Sequence, residues 1–571
     1  MGRTWWALVA AIATAALGLR LASIGFGLPA VYNPDEIAIV SRSLAFAKGD
    51  LNPHNFLYPT FYFYVLFAWI GLAFLWLRIT GRVPSLGAFQ DRFFVDPSSV
   101  YVAGRALGAI CGTVTTGITA LLGRTWFDAP TGLVAAALLA VAPAAVMDAH
   151  YVKHDVPATL AVTIALWRLA RCWPEGGATG GPWHGPLLTA AVACGVAWST
   201  HYYTVFLALP LAITAVEVRR RDGVRAAAGA LTLAATVAAI AFFVLSPFLL
   251  VEPATAWRDI VANRQIVVDR ATDTGGYSNL ARYLSLLADA GVTLPVAALA
   301  GIGTVVVCVT DWRRALLPLS FAVPFLLFIS NTVPASRYLN PLLPVVALMA
   351  AVAIGRIAVI LAPGRQALAL TLLTALTASP ALVESARVVR FFAQDDTRTL
   401  AARVITTQVT DGATVLIQPQ SVQVHQSRAS LEESLRARLG SLDHLPTRSR
   451  LRLAIAPWPR PSYRILWLGD GGLDEDKIYV GYGDLGEDPI ATLRRHGVQY
   501  VVLKRYNVAD PSVTPLATAL ARGARRITTV SPYRDDEPQT LMAPPFLHNL
   551  DARLDRRLER PGPIVDIFSL E

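Results

Sequence analysis

Residues 4–24, TWWALVAAIATAALGLRLASI, form an apolar stretch of about the 20 residues that a membrane-crossing helix needs. Asn33-Pro34-Asp35-Glu36 follows, with two adjacent carboxylates in a loop of mostly apolar, aromatic and small residues. Ionised groups are costly at the edge of a membrane unless a ligand or a reaction uses them. A second polar unit, Lys153-His154-Asp155, also lies between apolar stretches. If both units lie on one side of a bilayer, they form a polar pocket at a water–lipid boundary.

The composition indicates an integral membrane protein. The chain is 54% hydrophobic and only 16% charged, whereas soluble domains carry roughly 25% charged residues. Apolar segments fill residues 4–386, and the text after them is mixed and polar. We therefore predict a mainly α, polytopic helical membrane domain over 1–386, followed by a soluble, extracytoplasmic α/β domain over 387–571.

The net charge of +10 does not indicate a nucleic-acid-binding protein. Much of it lies in short arginine clusters between apolar segments, where positive charge orients helices, and no basic groove interleaved with aromatics is evident. The four cysteines lie in or beside apolar segments without CxxC spacing, so the sequence predicts neither a disulfide framework nor a zinc motif.

The arginine clusters also predict the topology. Arg219-Arg220-Arg221 marks a cytoplasmic loop, which places the N-terminus in the cytoplasm and the C-terminal domain outside the plasma (inner) membrane. The two acidic units then share a side only if one of the three apolar segments between them does not cross. The aromatic-rich segment 58–79 favours an interfacial position, although its flanking arginines favour crossing. We predict about 11 crossings plus juxtamembrane helices on the outer face.

The C-terminal region alternates between two kinds of pattern, as in a small α/β domain. The predicted strands and helices are, in that order, Thr414–Gln418, Arg464–Leu468 and Gln499–Leu503, then Thr397–Thr407, Ser430–Leu439 and Pro489–His496.

Further motifs follow the acidic pair in a fixed order. They include residues 52–59 (NPHNFLYP), the Lys153-His154-Asp155 unit and residues 336–341 (SRYLNP). Taken together, residues 1 to about 400 resemble the GT-C superfamily of membrane glycosyltransferases. The most similar branch contains protein O-mannosyltransferases and the lipid A aminoarabinose transferase. That branch has an acidic first outer loop, a His- and Pro-containing stretch, a second acidic residue two positions after Arg or Lys, and a late Arg-Tyr.

The resemblance implies a polyprenyl-phosphate-linked sugar as donor and transfer on the extracytoplasmic face. The acceptor would be a glycan, a lipid or a protein, and the membrane lipid is the other partner. Because one displacement of phosphate needs no covalent enzyme intermediate, inversion at the sugar C1 is expected. Many relatives carry Thr-Lys where this chain has Thr200-His201-Tyr202, so a phosphate contact by that lysine does not carry over directly.

The chemistry assigns roles to the motif residues. Asp35 is the predicted base for the acceptor hydroxyl, and Glu36 and Asp155 would orient the acceptor or hold a metal. Lys153 and Arg337 would face the departing phosphate. The remaining predicted substrate-binding residues are His54, Tyr58, His201, Tyr202 and Tyr338. A cation such as Mg²⁺ or Mn²⁺ on the three carboxylates is left open.

Each assignment has a structural alternative. Asp35 and Asp155 could each cap a following helix. Lys153 could extend from the interface toward water, and Arg337 could mark only a helix end. Arg398 is expected on a solvated helix face. Three histidines could have purely structural hydrogen bonds: His54, His150 and His201.

Three other functions compete with single-sugar transfer. A ligase would move a lipid-linked oligosaccharide in one step. A transporter is less consistent with the sequence, because no Gly/Pro-broken helices recur in two matching halves. A non-enzymatic envelope scaffold would not need Asp35 at all.

Overall fold

The computed structural model describes residues 2–173, 183–269, 279–472, 474–506, 509–534, 544–548 and 554–571. A long helical part precedes a small mixed sheet, so the predicted polytopic helical protein with a C-terminal α/β domain is confirmed. The helices of the first part are α1 Arg3–Leu21, α2 Pro34–Ala45, α3 Phe61–Ile79, α4 Leu86–Val95, α5 Ser98–Trp126, α6 Ala129–Ala140, α7 Pro143–Asp148, α8 Asp155–Cys172, α9 His184–Thr200, α10 Ala208–Arg219, α11 Val224–Leu245, α12 Phe248–Val251, α13 Pro253–Asp269, α14 Asn279–Leu286, α15 Leu294–Thr310, α16 Trp312–Ile329, α17 Leu343–Leu361 and α18 Gln366–Phe392.

In its described residues, the second part combines five α-helices with six strands. Its helices are α19 Thr397–Gln408, α20 Arg428–Leu439, α21 Thr447–Leu453, α22 Pro489–Arg495 and α23 Thr514–Gly523. Its strands are β1 Thr414–Ile417, β2 Arg464–Leu468, β3 Tyr479–Val480, β4 Tyr500–Arg505, β5 Arg525–Val530 and β6 Ile564–Ser569.

Within the described residues, eight helical stretches are long and apolar enough to cross a membrane, so this is a multi-span membrane protein. They include α1, α3, α5, α11 and α16. The helices α6 and α15 are apolar but shorter. Helices approach very closely where small residues meet: a Cβ on Gly132 of α6 would lie 2.3 Å from the Ala120 carbonyl of α5, so only glycine fits there.

The sheet has the order β3-β2-β1-β4-β6-β5. The first four strands are parallel, and β6 pairs antiparallel with both β4 and β5. The three predicted strands correspond to β1, β2 and β4, and the three predicted helices to α19, α20 and α22. Strands β3, β5 and β6 were not predicted. Strand β3 has only two residues, and β5 and β6 lie beside polar, arginine-rich sequence.

Helix α19 connects the two parts. Asp396 caps it, accepting from the Arg398 amide at 2.9 Å, and also binds the Arg398 guanidinium at 2.8 and 2.7 Å. Arg398 is only 3% exposed, so the expectation that it lies on a solvated face is wrong. Its guanidinium lies 3.8 Å from the centre of the Tyr32 ring. Tyr32, from the chain just before α2, thus covers the first turn of α19.

We call the end of the helical part that carries the sheet the sheet side. Helix α5 starts there, because α4 just before it packs against α21 of the sheet region. At the far end of α5, the chain turns into α6, where the Trp5 indole of α1 donates to the Ala129 carbonyl at 3.2 Å. Helices α5 and α6 therefore leave the sheet side and return to it.

Helix α3 follows a different path. Its Trp69 indole donates to the Ala103 carbonyl at 2.8 Å, within the first turns of α5. The Phe63 ring near its start contacts the His154 ring, with centroids 4.9 Å apart, and its end leads into α4 beside α21. These contacts place both ends of α3 on the sheet side, although its length and composition alone would allow it to cross.

Candidate active site

The first acidic unit opens helix α2. Asn33 is the cap, since its side-chain oxygen accepts from the Asp35 amide at 2.9 Å, and Pro34 occupies the first helical position. Asp35 is therefore free of a capping role, and its side chain is 43% exposed. The local sequence thus presents a carboxylate at the surface of the sheet side.

Two cations from distant parts of the chain converge on Asp35. The Lys153 ammonium lies 3.3 Å from Oδ2, and the Arg337 guanidinium lies 3.8 Å from the same oxygen. Lys153 is nearly buried, with 7% of its side chain exposed, and Arg337 is 18% exposed. The two polar units and the late Arg-Tyr motif therefore form one cluster on one side of the helical part.

The cluster perturbs its own charges. Burial alone would raise the pKa of Asp35, but Lys153 and Arg337 outweigh it and hold the pKa below its usual value. Burial and the neighbouring Arg337 lower the pKa of Lys153, against the opposing effect of Asp35. A group that replaced Asp35 between these two cations would have to be anionic.

Lys153 is positioned by a buried ion pair. The Glu36 carboxylate is bound by the Arg105 guanidinium at 2.9 Å on each oxygen, and both side chains are fully buried. Glu36 also accepts from the Val152 amide at 3.0 Å, one residue before Lys153. Arg105 in turn donates to the Phe26 carbonyl at 2.9 Å.

This arrangement differs from the predicted role of Glu36. Both of its oxygens face into the protein, where they accept three hydrogen bonds, so the geometry favours a role in holding the loop over contact with an acceptor or a metal. Arg105 was not predicted, because it lies inside an apolar segment 69 residues from Glu36, and no motif connects the two.

Asp155 opens helix α8 without capping it, since the cap position is His154 and its side chain makes no capping bond. The Tyr203 hydroxyl donates to Asp155 Oδ1 at 3.4 Å, and Asp155 is 6% exposed. The Tyr58 ring stacks on His154 with centroids 4.3 Å apart. His201 lies against Tyr203, with a centroid distance of 3.5 Å, so it lines this side of the cluster.

Arg337 comes from a short 3-10 helix, Ser336–Leu342. The side-chain amide of Asn340 donates to the Arg337 carbonyl at 3.0 Å and to Asp148 Oδ2 at 2.5 Å. These bonds connect the 3-10 helix to the end of α7. The Arg337 guanidinium also lies 5.1 Å from the centre of the Tyr338 ring. Asp148 and Asn340 were not predicted, although Asn340 follows Arg337 within the same motif.

Two predicted substrate-binding residues lie elsewhere. His54 binds Asp50 at 2.9 Å and Glu252 at 2.7 Å, and its side chain is 60% exposed. These carboxylates, Asp50 first, raise the pKa of His54 above its usual value. Tyr202 donates to the Phe56 carbonyl at 3.0 Å. Neither has a contact with Asp35, Lys153 or Arg337 in the described part of the chain.

The predicted metal ligands do not fit a divalent cation. Both Glu36 oxygens are already bound by Arg105, one of them also by the Val152 amide, and Asp35 already faces two positive side chains. Over the described ranges, no cluster of three or more His, Cys, Asp or Glu side chains is arranged to hold a metal ion.

Comparison with known proteins extends these observations. Residues 98–250 match the family described as dolichyl-phosphate-mannose-protein mannosyltransferase. The fold is similar to that of ArnT from Cupriavidus metallidurans bound to undecaprenyl phosphate, with a TM-score of 0.54 and 15% identity, over 99% of this chain and 98% of that one. The apo form of the same protein gives a TM-score of 0.51 and 14% identity over the same shares.

No curated protein sequence matches the chain. The family match covers part of the helical region that holds Arg105, Lys153 and Asp155, and the structural similarity covers nearly the whole chain. Together they confirm what the motifs indicated: this chain resembles the GT-C superfamily of membrane glycosyltransferases.

Proposed function

We propose that this protein transfers a sugar from a polyprenyl-phosphate carrier to an acceptor on the extracytoplasmic side of the plasma (inner) membrane, with inversion at C1. The observation that carries the proposal is the convergence of Lys153 and Arg337 on Asp35, at 3.3 and 3.8 Å. One partly open site thus combines a carboxylate base with two cations suited to a phosphate.

The proposed reaction is one displacement. The acceptor hydroxyl loses its proton to Asp35 while its oxygen forms a bond to C1. The bond between C1 and the phosphate oxygen breaks, and the polyprenyl phosphate leaves with the electron pair. Lys153 and Arg337 stabilise the charge that develops on the leaving phosphate. Asp155, with the Tyr203 hydroxyl, orients the acceptor beside an oxocarbenium-like C1.

Donor binding would also activate the base. A phosphate between Lys153 and Arg337 competes with Asp35 for both cations, and these cations now lower the pKa of Asp35. When they turn toward the donor, that pKa rises and the carboxylate becomes a better proton acceptor. The site would therefore reach its full basicity only with the lipid phosphate in place.

The comparisons support this choice of donor. The matched family is described by a dolichyl-phosphate-linked mannose donor, and the ArnT structure holds undecaprenyl phosphate. Both are polyprenyl phosphates. The proposed donor is therefore a sugar linked to a carrier of this class.

Substitution of Asp35 by Asn tests the proposal. The experiment is mass spectrometry of envelope lipids, glycans and glycoproteins from a deletion strain, complemented either with the wild-type gene or with the Asp35→Asn variant. We expect the deletion to remove a glycosylated species, the wild type to restore it, and Asp35→Asn to leave at most about 1% of it, because the general base is lost. Normal amounts of the variant in the membrane would be verified by immunoblotting.

The same experiment separates the competing functions. A mass difference of several sugars at once would indicate an oligosaccharide ligase. Full restoration by Asp35→Asn would refute the enzymatic proposal and favour a scaffold. An Asp50→Asn variant is the matched control, because Asp50 is an exposed aspartate beyond the end of α2 that binds the Asn52 amide and the exposed His54, away from the cluster around Asp35.

A further inference from the structure

Residue His548, from the last part of the chain, lies between the two loops that carry the proposed active site. It is 3% exposed, and it stacks on the Phe26 ring with a centroid distance of 5.0 Å. Nearby, Phe546 packs against Phe391 and Phe392 at the end of α18. A segment that belongs to the sheet region in sequence is therefore inserted into the helical region.

His548 contacts the first loop through its backbone. The Asn33 side chain donates to the His548 carbonyl at 2.7 Å. The same Asn33 side chain caps α2 through its oxygen, which binds the Asp35 amide. The amide group of Asn33 thus joins the His548 backbone directly to the turn that presents Asp35.

His548 contacts the second loop through its ring. Its Nδ1 lies 2.8 Å from the Tyr151 hydroxyl, two residues before Lys153. Its Nε2 lies 3.5 Å from Asp396 Oδ2, at the cap of α19. With Nε2–H directed at the carboxylate, Nδ1 accepts the hydrogen bond from Tyr151.

We infer that His548 is a positioning residue, which holds the Asp35 loop and the Lys153 loop at their working separation and couples them to the C-terminal region. It touches neither Asp35 nor Lys153, so it acts through Asn33 and Tyr151. Buried hydrogen bonds such as those of His548 to Asn33 and Tyr151 favour one geometry, and small displacements of catalytic groups are expensive. The part of the inference that concerns catalysis rests on the proposed function, whereas the part that concerns loop order does not.

Hydrogen exchange of the full-length protein in lipid nanodiscs, read by mass spectrometry, tests the loop order. In His548→Ala, we expect the amides of residues 33–38 and 149–155 to exchange at least about tenfold faster, with strand β4 unchanged. His496→Ala is the matched control, because His496 is an exposed histidine at the end of α22 that, among the described residues, has no contact with either loop. Wild-type exchange in both loops of His548→Ala would overturn the inference.

Two gentler variants keep the test decisive if His548→Ala does not fold. His548 has a φ of 65°, a conformation that Asn tolerates better than Ala, and an Asn side chain keeps an acceptor near the Nδ1 position. His548→Asn should therefore restore most of the protection. Tyr151→Phe removes only the hydroxyl and should loosen residues 149–155. Unchanged exchange in Tyr151→Phe would also contradict the inference.

Kinetics add a readout that stability alone does not move. We expect His548→Ala to lower kcat by about 10- to 100-fold with KM changed less than threefold, because substrate contacts remain while the base is displaced. His548→Asn should recover most of this loss. A wild-type protein without transfer activity would refute the proposed function and leave the exchange result standing. An active wild type with unchanged loops in His548→Ala would refute the positioning role alone.

Discussion

At the scale of single residues, the position of charge around Asp35 determines how the site responds to pH. Lys153 and Arg337 lower the pKa of this carboxyl group, so Asp35 stays ionised to a lower pH than an ordinary aspartate. A base must be ionised to accept a proton. The acid limb of kcat/KM in the free enzyme should therefore lie below the usual range of aspartate.

Removal of one cation should move this limb. In Lys153→Met, the pKa of Asp35 rises, so the acid limb of kcat/KM shifts to higher pH, in addition to the loss of rate from weaker phosphate stabilisation. The measurement is kcat/KM as a function of pH for wild type and variant. Lys477→Met is the control, because Lys477 pairs with Asp474 in the sheet region, 2.8 Å away, and should leave the profile unchanged. A limb that stayed in place in Lys153→Met would argue against Asp35 as the base.

The residues of the cluster could be predicted in part. Asp35, Lys153, Arg337 and Asp155 stood out because charged groups are rare beside apolar segments, and the structure brings them together. His54 stood out for the same reason but turns to Asp50 and Glu252. Sequence position near a motif does not reveal which of two neighbouring acidic groups a histidine will face.

At the scale of elements, one buried ion pair joins three pieces of the chain. Glu36 comes from α2, Arg105 from α5, and the Val152 amide from the loop before α8. Because both charges are fully buried, loss of one partner leaves the other uncompensated.

Glu36→Gln should therefore destabilise the protein strongly. We expect the free energy of unfolding to fall by about 3–5 kcal/mol, since Arg105 keeps its charge without a counterion. Equilibrium unfolding in mixed micelles measures this change. The control is Glu432→Gln, a partly exposed carboxylate between the exposed Arg428 and Arg436, where a loss of less than about 1 kcal/mol is expected. Similar losses in the two variants would show that the Glu36 pair is not buried as described.

Elements themselves were more predictable than their partners. The length of the apolar segments predicted the long helices. The alternation of strand-like and helix-like segments after residue 386 predicted β1, β2 and β4. The burial of Arg398 was not predicted. Its helix is polar, and nothing in the local sequence indicates that the ring of Tyr32 covers its guanidinium. Contacts over hundreds of residues have no local signature.

At the scale of the whole molecule, the path of α3 decides whether the two acidic units share a side. Both ends of α3 lie at the sheet side, through the contacts of Phe63 and Trp69 and the packing of α4 on α21. The assignment of that side to the cell exterior remains a prediction from arginine placement.

Single cysteines test this topology in intact cells. In a background without the native cysteines, Arg82→Cys after α3 and Asp50→Cys before it should both react with a membrane-impermeant thiol reagent added outside. Arg221→Cys, in the predicted cytoplasmic loop, should react only after the cells are permeabilised. If Arg82→Cys behaved like Arg221→Cys, α3 would cross and the count of about 11 crossings would be wrong.

The hydrogen bond from the Val152 amide to Glu36 has one more consequence. It fixes the backbone one residue before Lys153 and thereby sets where the Lys153 ammonium can reach. Insertion of one residue between Val152 and Lys153 would keep this hydrogen bond but rotate the ammonium toward the opposite face. An insertion directly after Val152 should therefore abolish the placement of Lys153 even though Glu36 and Val152 stay bound.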